Sequence, residues 1–283
     1  MTLLVELVEQ FEAARPRLMS LAHRILGSNH DAEDAVQVVW LRAQATDLAD
    51  VANRDGWFTT VTARLCLDQL RQRQRRRELP LLADDIPDQQ VRADEAFLQR
   101  EDVSRALLVL LGELSPQQRV AYVLHDLFSV PFAQIAVALD TTTTAAKKLA
   151  SRARTRLRDA QPDGSGRGDH WEIVEAFLTA ARGGDIAQLV TLLAPDAVRT
   201  AHPRLLPTES PTTVHGADAV AEETKAFIHQ IAAAVPVLIS GEPGAIIAPG
   251  GHPYALINFT INARLITRID ISPYPRGKTS LIS

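Results

Sequence analysis

The sequence has a single cysteine, Cys66, so no disulfide can form within the chain and no multi-cysteine zinc site is possible. Cys66 lies in the apolar helical pattern Val61 to Leu67, where it reads as a small buried hydrophobe rather than a redox sensor. Long apolar runs are also missing. Ile231 to Ile239 is broken by Pro236 and falls far short of the roughly 20 residues that a bilayer span needs, so no membrane-spanning segment is expected. The first residues, Met-Thr-Leu-Leu-Val-Glu, lack a basic region followed by an apolar core, which points to a cytoplasmic location. His202, His215, His229 and His252 are scattered, without the close spacing of a metal site, so neither metal nor cofactor is expected. Asp196, His202, His215 and Asp270 could line a pocket, yet they form no recognisable nucleophile and base pair, and no enzymatic activity is expected.

What is present is an ordinary globular composition, 46% apolar and 23% charged, over 283 residues, which argues for about two folded domains. The net charge of −4 conceals a segregation. Arg54, Arg64, Arg71, Arg73, Arg75, Arg76 and Arg77 face only Asp55 and Asp68 in their stretch, and Lys147, Lys148, Arg152, Arg154, Arg156 and Arg158 face no acid at all. Between them Glu78, Asp84, Asp85, Asp88, Asp94, Glu95, Glu101 and Asp102 outweigh Arg92 and Arg100. Two basic helices therefore flank an acidic connector; a basic helical face is a common footprint of phosphate contact, while either stretch taken alone reads more readily as a solvated helix surface.

Periodicity divides the chain into five parts. Residues 1–77 read as helices, with a break near Pro16, a stop at Gly27-Ser28-Asn29, an N-cap at Asp31, and a turn at Asn53 to Gly56 before a long helix from Trp57. Residues 78–94, with two prolines and many acids, read as a linker. Residues 95–160 are helical again, from an amphipathic helix ending at Leu111 through the helix-opening Ser115-Pro116. Residues 161–168 form a glycine-rich linker. Residues 169–283 begin with helices and continue with strands near 197–200, 235–239, 245–248, 254–261 and 265–271, an α+β pattern.

The sharpest local signal is a pair of short helices. Phe132, Ile135, Ala136 and Leu139 make one apolar face, a polar turn follows at Asp140 to Thr143, and the next helix buries Ala146, Leu149, Ala150, Ala153 and Leu157. Its opposite side carries Lys147, Ser151, Arg154 and Arg158. This is the pattern of a helix-turn-helix, whose second helix enters the major groove. Thr143, Thr144, Lys147 and Lys148 would lie near base edges, and Arg152, Arg154 and Arg158 near phosphates.

Leu114 to Leu124, Phe132 to Ala136 and Ala150 to Arg154 resemble region four of extracytoplasmic-function sigma factors. Phe11 to Leu18, Asp31 to Gln37, Trp57 to Val61 and Arg64 to Arg71 resemble their region two. Asp169 to Leu178, Leu189 to Asp196 and Val214 to Val220 resemble a SnoaL-like (NTF2-like) cone domain, a fusion found in a SigJ-like group of these factors. The resemblance implies two all-α sigma domains followed by an α+β domain that regulates them through intramolecular contact. It also implies that Asp31, Glu33, Asp34, Gln37 and Trp40 dock on core RNA polymerase, at the clamp coiled coil of its largest subunit, while region four meets the flap of the second subunit. Asn53, Arg54, Trp57, Thr60, Arg64 and Arg71 would engage the minus-ten promoter element. Thr143, Thr144, Lys147, Lys148, Ser151, Arg152, Arg154 and Arg158 would engage the minus-thirty-five element. The group's Asp-Gly-Gly-Gly and Asn-Pro-Asp-Lys-Leu stretches are replaced here by Thr200 to Pro203 and Ser272 to Lys278, so contacts made by those motifs do not carry over. Two rival readings are a helix-turn-helix repressor with a ligand-sensing SnoaL-like domain and a SnoaL-type enzyme with a DNA-binding extension. The first leaves the acidic helix and the second basic block unused, and the second lacks a catalytic constellation.

Overall fold

The computed structural model describes residues 2–48, 51–76, 86–100, 104–159, 168–207 and 210–275. The expected 161–168 linker, apart from its last residue, and the first half of the 78–94 linker lie outside them. The chain divides into two compact units, one of Met1–Leu79, Gln99–Asp102 and Leu111–Leu157, the other of Pro80–Leu98, Val103–Leu110 and Arg158–Ser283.

In the first unit α1 (Thr2–Leu26) packs on α2 (Asn29–Ala45) and α3 (Arg54–Arg75). The break expected at Pro16 does not occur, and α1 runs through it. Pro16 lies on the exposed side, so the carbonyl that loses its intrahelical partner faces water. Gly27, at φ +77°, ends α1, and its N–H donates to His23 O at 2.7 Å. Ser28, not Asp31, caps α2, accepting from the Asp31 N–H. Asn53 caps α3 by accepting from the Gly56 N–H at 2.8 Å, and a Cβ on Gly56 would lie 2.7 Å from that same Asn53 side chain. Phe11 sits at the centre of the three helices, edge-on to Phe58 at 5.5 Å and tilted against Trp40 at 4.9 Å.

The acidic connector is not a linker throughout. From Asp88 it forms α4 (Asp88–Arg100), followed by α5 (Arg105–Gly112). Pro87 O accepts from Gln90 and Val91 N–H groups, and Asp88 in the first turn suits the positive end of the helix dipole, so the proline and the acid start a helix here. Ser115 and Gln118 form a reciprocal capping box that opens α6 (Pro116–Tyr122), which continues into a π-helical turn at Val123–Leu127. α7 (Phe132–Leu139) ends at Asp140 in the left-handed region, φ 51°, with Thr141 N–H returning to Ala136 O, and α8 (Thr143–Asp159) follows.

The second unit carries α9 (Gly168–Gly183), α10 (Ile186–Leu192), β1 (Leu193–Ala201), β2 (Thr213–His215), α11 (Ala217–Thr224), α12 (Ile228–Ala232), β3 (Ala234–Ile239), β4 (Glu242–Ile247), β5 (Ala255–Asn262) and β6 (Leu265–Pro273). The sheet order is β2-β1-β6-β5-β4-β3, with β1 and β6 parallel and the other pairs antiparallel. Val174, Leu178 and Leu189 from the helices meet Ala245, Ile247, Ala255, Ile257 and Ile266 on one face of it. This is the α+β order expected, helices first and sheet second. Strand β2 escaped the sequence reading because three residues are too short to show alternation.

Candidate promoter and polymerase interface

Helix α8 buries Ala146, Ala150, Ala153 and Leu157. Its small inward side chains let the helix sit close while the opposite side stands clear. Thr142 Oγ1 accepts from the Ala145 N–H at 3.1 Å and fixes the entry. Thr143, Thr144, Lys147, Lys148, Ser151, Arg152, Arg154 and Arg158 are all exposed. Three of them have internal partners: Lys147 Nζ lies 5.9 Å from the Phe132 ring centre, Arg154 Nε donates to Asp126 Oδ1 at 2.6 Å, and Arg158 Nε lies 3.9 Å from Asp159 Oδ1.

On α2 the five candidates separate. Glu33, Asp34 and Gln37 are exposed. Asp31 is tied down instead, 2.6 Å from Arg73 Nη2 and accepting from Gln69 Nε2 at 2.9 Å, so it braces α2 against α3. Trp40 is half-buried against Phe11. Sequence reasoning missed Val38 and Leu41, which stand 37% and 55% exposed one turn and two turns beyond Asp34. Their signal was an apolar pair off the buried stripe of Ala32, Ala35, Val36, Val39 and Ala43.

The minus-ten candidates are more occupied. Arg54 donates from Nε to Leu48 O at 3.2 Å and from Nη1 to Gln10 Oε1 at 3.0 Å, with Glu6 at 3.4 Å, so it fastens the turn before α3 to α1. Asn53 is the cap already described. Trp57 is half-buried edge-on to Phe58 at 5.7 Å, and Arg71 lies 4.0 Å from Asp68. Thr60 and Arg64 meet α7 within the same unit. Gln134 Nε2 donates to Gly56 O at 2.7 Å and to Thr60 Oγ1 at 3.3 Å, and Arg64 Nη2 donates to Val137 O at 2.8 Å. Arg119, whose Nε donates to Arg24 O at 3.2 Å, is buried deeply enough that desolvation, with Arg73 nearby, brings its pKa down to about 10. The Cys66 thiol, inside the same core, is pushed up to about 12 by burial.

In the second unit the four residues expected to line a pocket do not. A cavity of about 70 Å³ lies among Phe177, Leu205, Phe227, Tyr254 and Ile271, with Arg199 and Glu223 on its wall. Asp196, His202 and His215 are exposed, and Asp270 is held by Arg268 and Thr200. Arg199 pairs with Glu223 and donates to the carbonyls of Pro211 and Thr212. Among the described residues no cluster of three His, Cys, Asp or Glu could hold a metal, and no helix is long and apolar enough to cross a membrane.

Comparison with known proteins agrees with this arrangement. The sigma-70 region 2 family model matches residues 10–76 and the sigma-70 region 4 model matches residues 104–157. The ECF RNA polymerase sigma factor SigJ of Mycobacterium tuberculosis is 38% identical over 87% of this chain and 83% of its own length. The chain belongs to the ECF RNA polymerase sigma factors. The probable ECF sigma factor SigI of the same organism is 30% identical over 94% of this chain and 92% of its own. A crystal structure of M. tuberculosis SigJ aligns over 95% of this chain and 96% of that one, at 32% identity and a TM-score of 0.46. Like other sigma factors this one is a non-enzymatic transcription initiation factor with DNA-binding domains, and α1 to α3 are its region two. Region four begins at α5, although residues 103–110 cluster with the second unit rather than with α6 to α8.

Proposed function

We propose that the sigma factor binds core RNA polymerase through the exposed side of α2, reads the minus-thirty-five element with α8 and the minus-ten element with α3 and the turn before it, and is regulated in cis by its C-terminal domain. The observation that carries the reading is on α8: all eight candidate side chains are exposed, opposite a face of alanines. A helix so mounted presents its first turns to base edges and its later arginines to phosphate. On α2, Asp34 and Gln37 lie beside exposed Val38 and Leu41, a mixed apolar and polar strip suited to another protein rather than to DNA. Docking there would involve the clamp coiled coil of the largest subunit, with region four on the flap of the second. The location that goes with this function is the cytoplasm.

For α3 the reading requires a change of arrangement. Gly56, Thr60 and Arg64 are engaged by Gln134 and Val137 of α7, so region four occupies part of the minus-ten face. The test is promoter-dependent transcription by purified core polymerase with the full chain. Promoter-specific transcripts that need this chain are the expected result, and their absence on every promoter offered, with the chain folded, overturns the reading.

A further inference from the structure

Helix α8 is braced from one side. The π-helical turn at Val123–Leu127 is closed by two returning bonds, Ser129 N–H to His125 O at 3.0 Å and Val130 N–H to Leu124 O at 2.9 Å. His125 locks it to α7, with its ring 3.9 Å from that of Phe132 and Nδ1 3.2 Å from Val130 O. Val123 and Leu124 are buried beneath, so the turn and Phe132 make a fixed platform. Two exposed bases of α8 meet it. Lys147 lies over the Phe132 ring, and seven residues on, two turns along the same side, Arg154 Nε donates to Asp126 Oδ1 at 2.6 Å. The Asp126 side chain is 22% exposed and that of Arg154 45%. Tyr122, one turn before Asp126, has its pKa raised by burial and, after that, by the Asp126 charge, so the carboxylate sits beside a partly dry surface. An exposed ion pair adds little stability, so the pair calls for another account. It uses only Nε, which leaves the Nη1–Nη2 edge of the guanidinium to face outward. A phosphate takes an arginine through two parallel N–H bonds, for which the fork must lie in the right plane.

We infer that Asp126 is a positioning residue for DNA: it holds Arg154 so that the Nη1–Nη2 edge is set for bidentate contact with a backbone phosphate beside the groove that α8 enters. The inference goes beyond the reading of α8 proposed above and rests on it. Two opposed effects decide what the acid does to binding. An acid near DNA repels it, but at roughly 8 Å from a phosphate, one Debye length at physiological salt, the repulsion changes affinity by less than about twofold. An arginine that must be ordered afresh on contact loses roughly two- to tenfold in affinity, and one already held does not. Positioning therefore outweighs repulsion, and removal of this acid weakens DNA binding, the reverse of what its charge alone would do.

The test is the affinity of the full chain, over a salt series, for a duplex that the original chain selects from a random-sequence pool. Asp126→Ala is expected to weaken binding about threefold, and Arg154→Ala to weaken it further and to lower the salt slope by about one unit. Asp126→Asn keeps an acceptor for Nε and is expected to recover most of the affinity. In an Arg154→Ala background Asp126→Ala is expected not to weaken binding at all, since nothing is left to aim, whereas a helix merely loosened by the change would lose affinity in both backgrounds. If Asp126→Ala fails to fold, Asp126→Ser, too short to reach Nε, is read in the same way. Tighter binding by Asp126→Ala makes the acid a mask and overturns the inference, as do an asparagine no better than alanine and an equal loss in the two backgrounds. Lys148→Ala and Arg152→Ala test the parent reading separately. If neither alters binding, α8 does not meet the duplex and that reading falls; an effect of both with none of Asp126→Ala overturns the positioning alone.

Discussion

Helices α3 and α8 are both long, both basic on one side and both in the first unit, yet they are mounted differently. α3 buries Phe58, Val61, Cys66 and Leu67, whereas α8 buries Ala146, Ala150, Ala153 and Leu157. The large inward side chains make α3 a core element, and its arginines become struts: Arg54 to α1 and the preceding turn, Arg64 to α7, Arg73 to Asp31. α8 is held by a thin alanine seam and leaves its bases in solvent. Basic charge in sequence thus becomes scaffold in one helix and presented surface in the other, and the size of the buried side chains goes with the difference.

The largest effects should fall on α8. Lys147→Ala is expected to weaken promoter binding by about 1–3 kcal/mol at one base position, whereas Arg152→Ala should weaken all sequences alike and lower the salt slope by about one unit. Binding titrations over a salt series on promoter variants separate the two, and exchanged signatures would turn the helix around in the groove. On α3 the expectation is different in kind. Arg54→Ala should lower the stability of region two by about 1–2 kcal/mol, because a side chain only 18% exposed loses its bonds to Leu48 O and Gln10, while the salt slope of DNA binding stays put. A reduced salt slope at unchanged stability would mean that Arg54 is presented after all.

A change at the joint between the helices would make α3 more like α8. Gln134→Ala removes the 2.7 Å bond to Gly56 O and the 3.3 Å bond to Thr60, worth about 1 kcal/mol together, and uncovers the minus-ten face. Binding of single-stranded minus-ten DNA to the full chain should then tighten by roughly fivefold, the equivalent of about 1 kcal/mol. Unchanged binding, with α7 still folded, would show that the contact does not gate α3.

The two helices were also unequally legible. The mounting of α8 could be read from spacing alone, because alanines and bases alternate at three and four residues within one element. The use of Arg54 and Arg64 could not, since their partners lie in α1 and α7 and no local pattern points to a carbonyl such as Val137 O. Asp31 looked like a docking acid and a cap, but Arg73 and Gln69, in the last two turns of another helix, took it. The same limit hid α4. Its acids and prolines read as a linker, and the partner that buries Asp94 is His252, at the far end of the chain. Pocket residues failed for a further reason: Asp196 stands on the exposed side of β1 and His202 and His215 lie exposed at strand ends, whereas the cavity is walled by apolar side chains and a self-satisfied Arg199–Glu223 pair.

The smallest expected effect tests whether the inner face of α3 is a dry core. Cys66 is completely buried, and burial raises its thiol pKa from an ordinary value of 9.0 to about 12. Between those values the unfolded chain gives up the proton and the folded chain keeps it, so the native state binds more protons and stability falls as pH rises. The contribution is fully present below pH 9 and is lost progressively toward pH 12. Arg119 acts the other way, since its folded pKa is lowered to about 10 and its loss of a proton in the folded state adds stability as pH nears that value, so it offsets a small part of the thiol's loss by pH 9.5 and more above it. At pH 9.5 the loss should be about 0.8 kcal/mol, from linkage at 1.36 kcal/mol per pKa unit. Urea unfolding of region two, followed by labelling of Cys66 as it becomes accessible, should show the midpoint dropping from pH 8 to 9.5. Cys66→Ala, followed by circular dichroism, should remove that slope whatever it does to absolute stability. α8 carries no thiol and no comparable core face, so nothing in its mounting adds a similar term. A midpoint independent of pH across this window would place water at Cys66, and α3 would then be as lightly seated as α8.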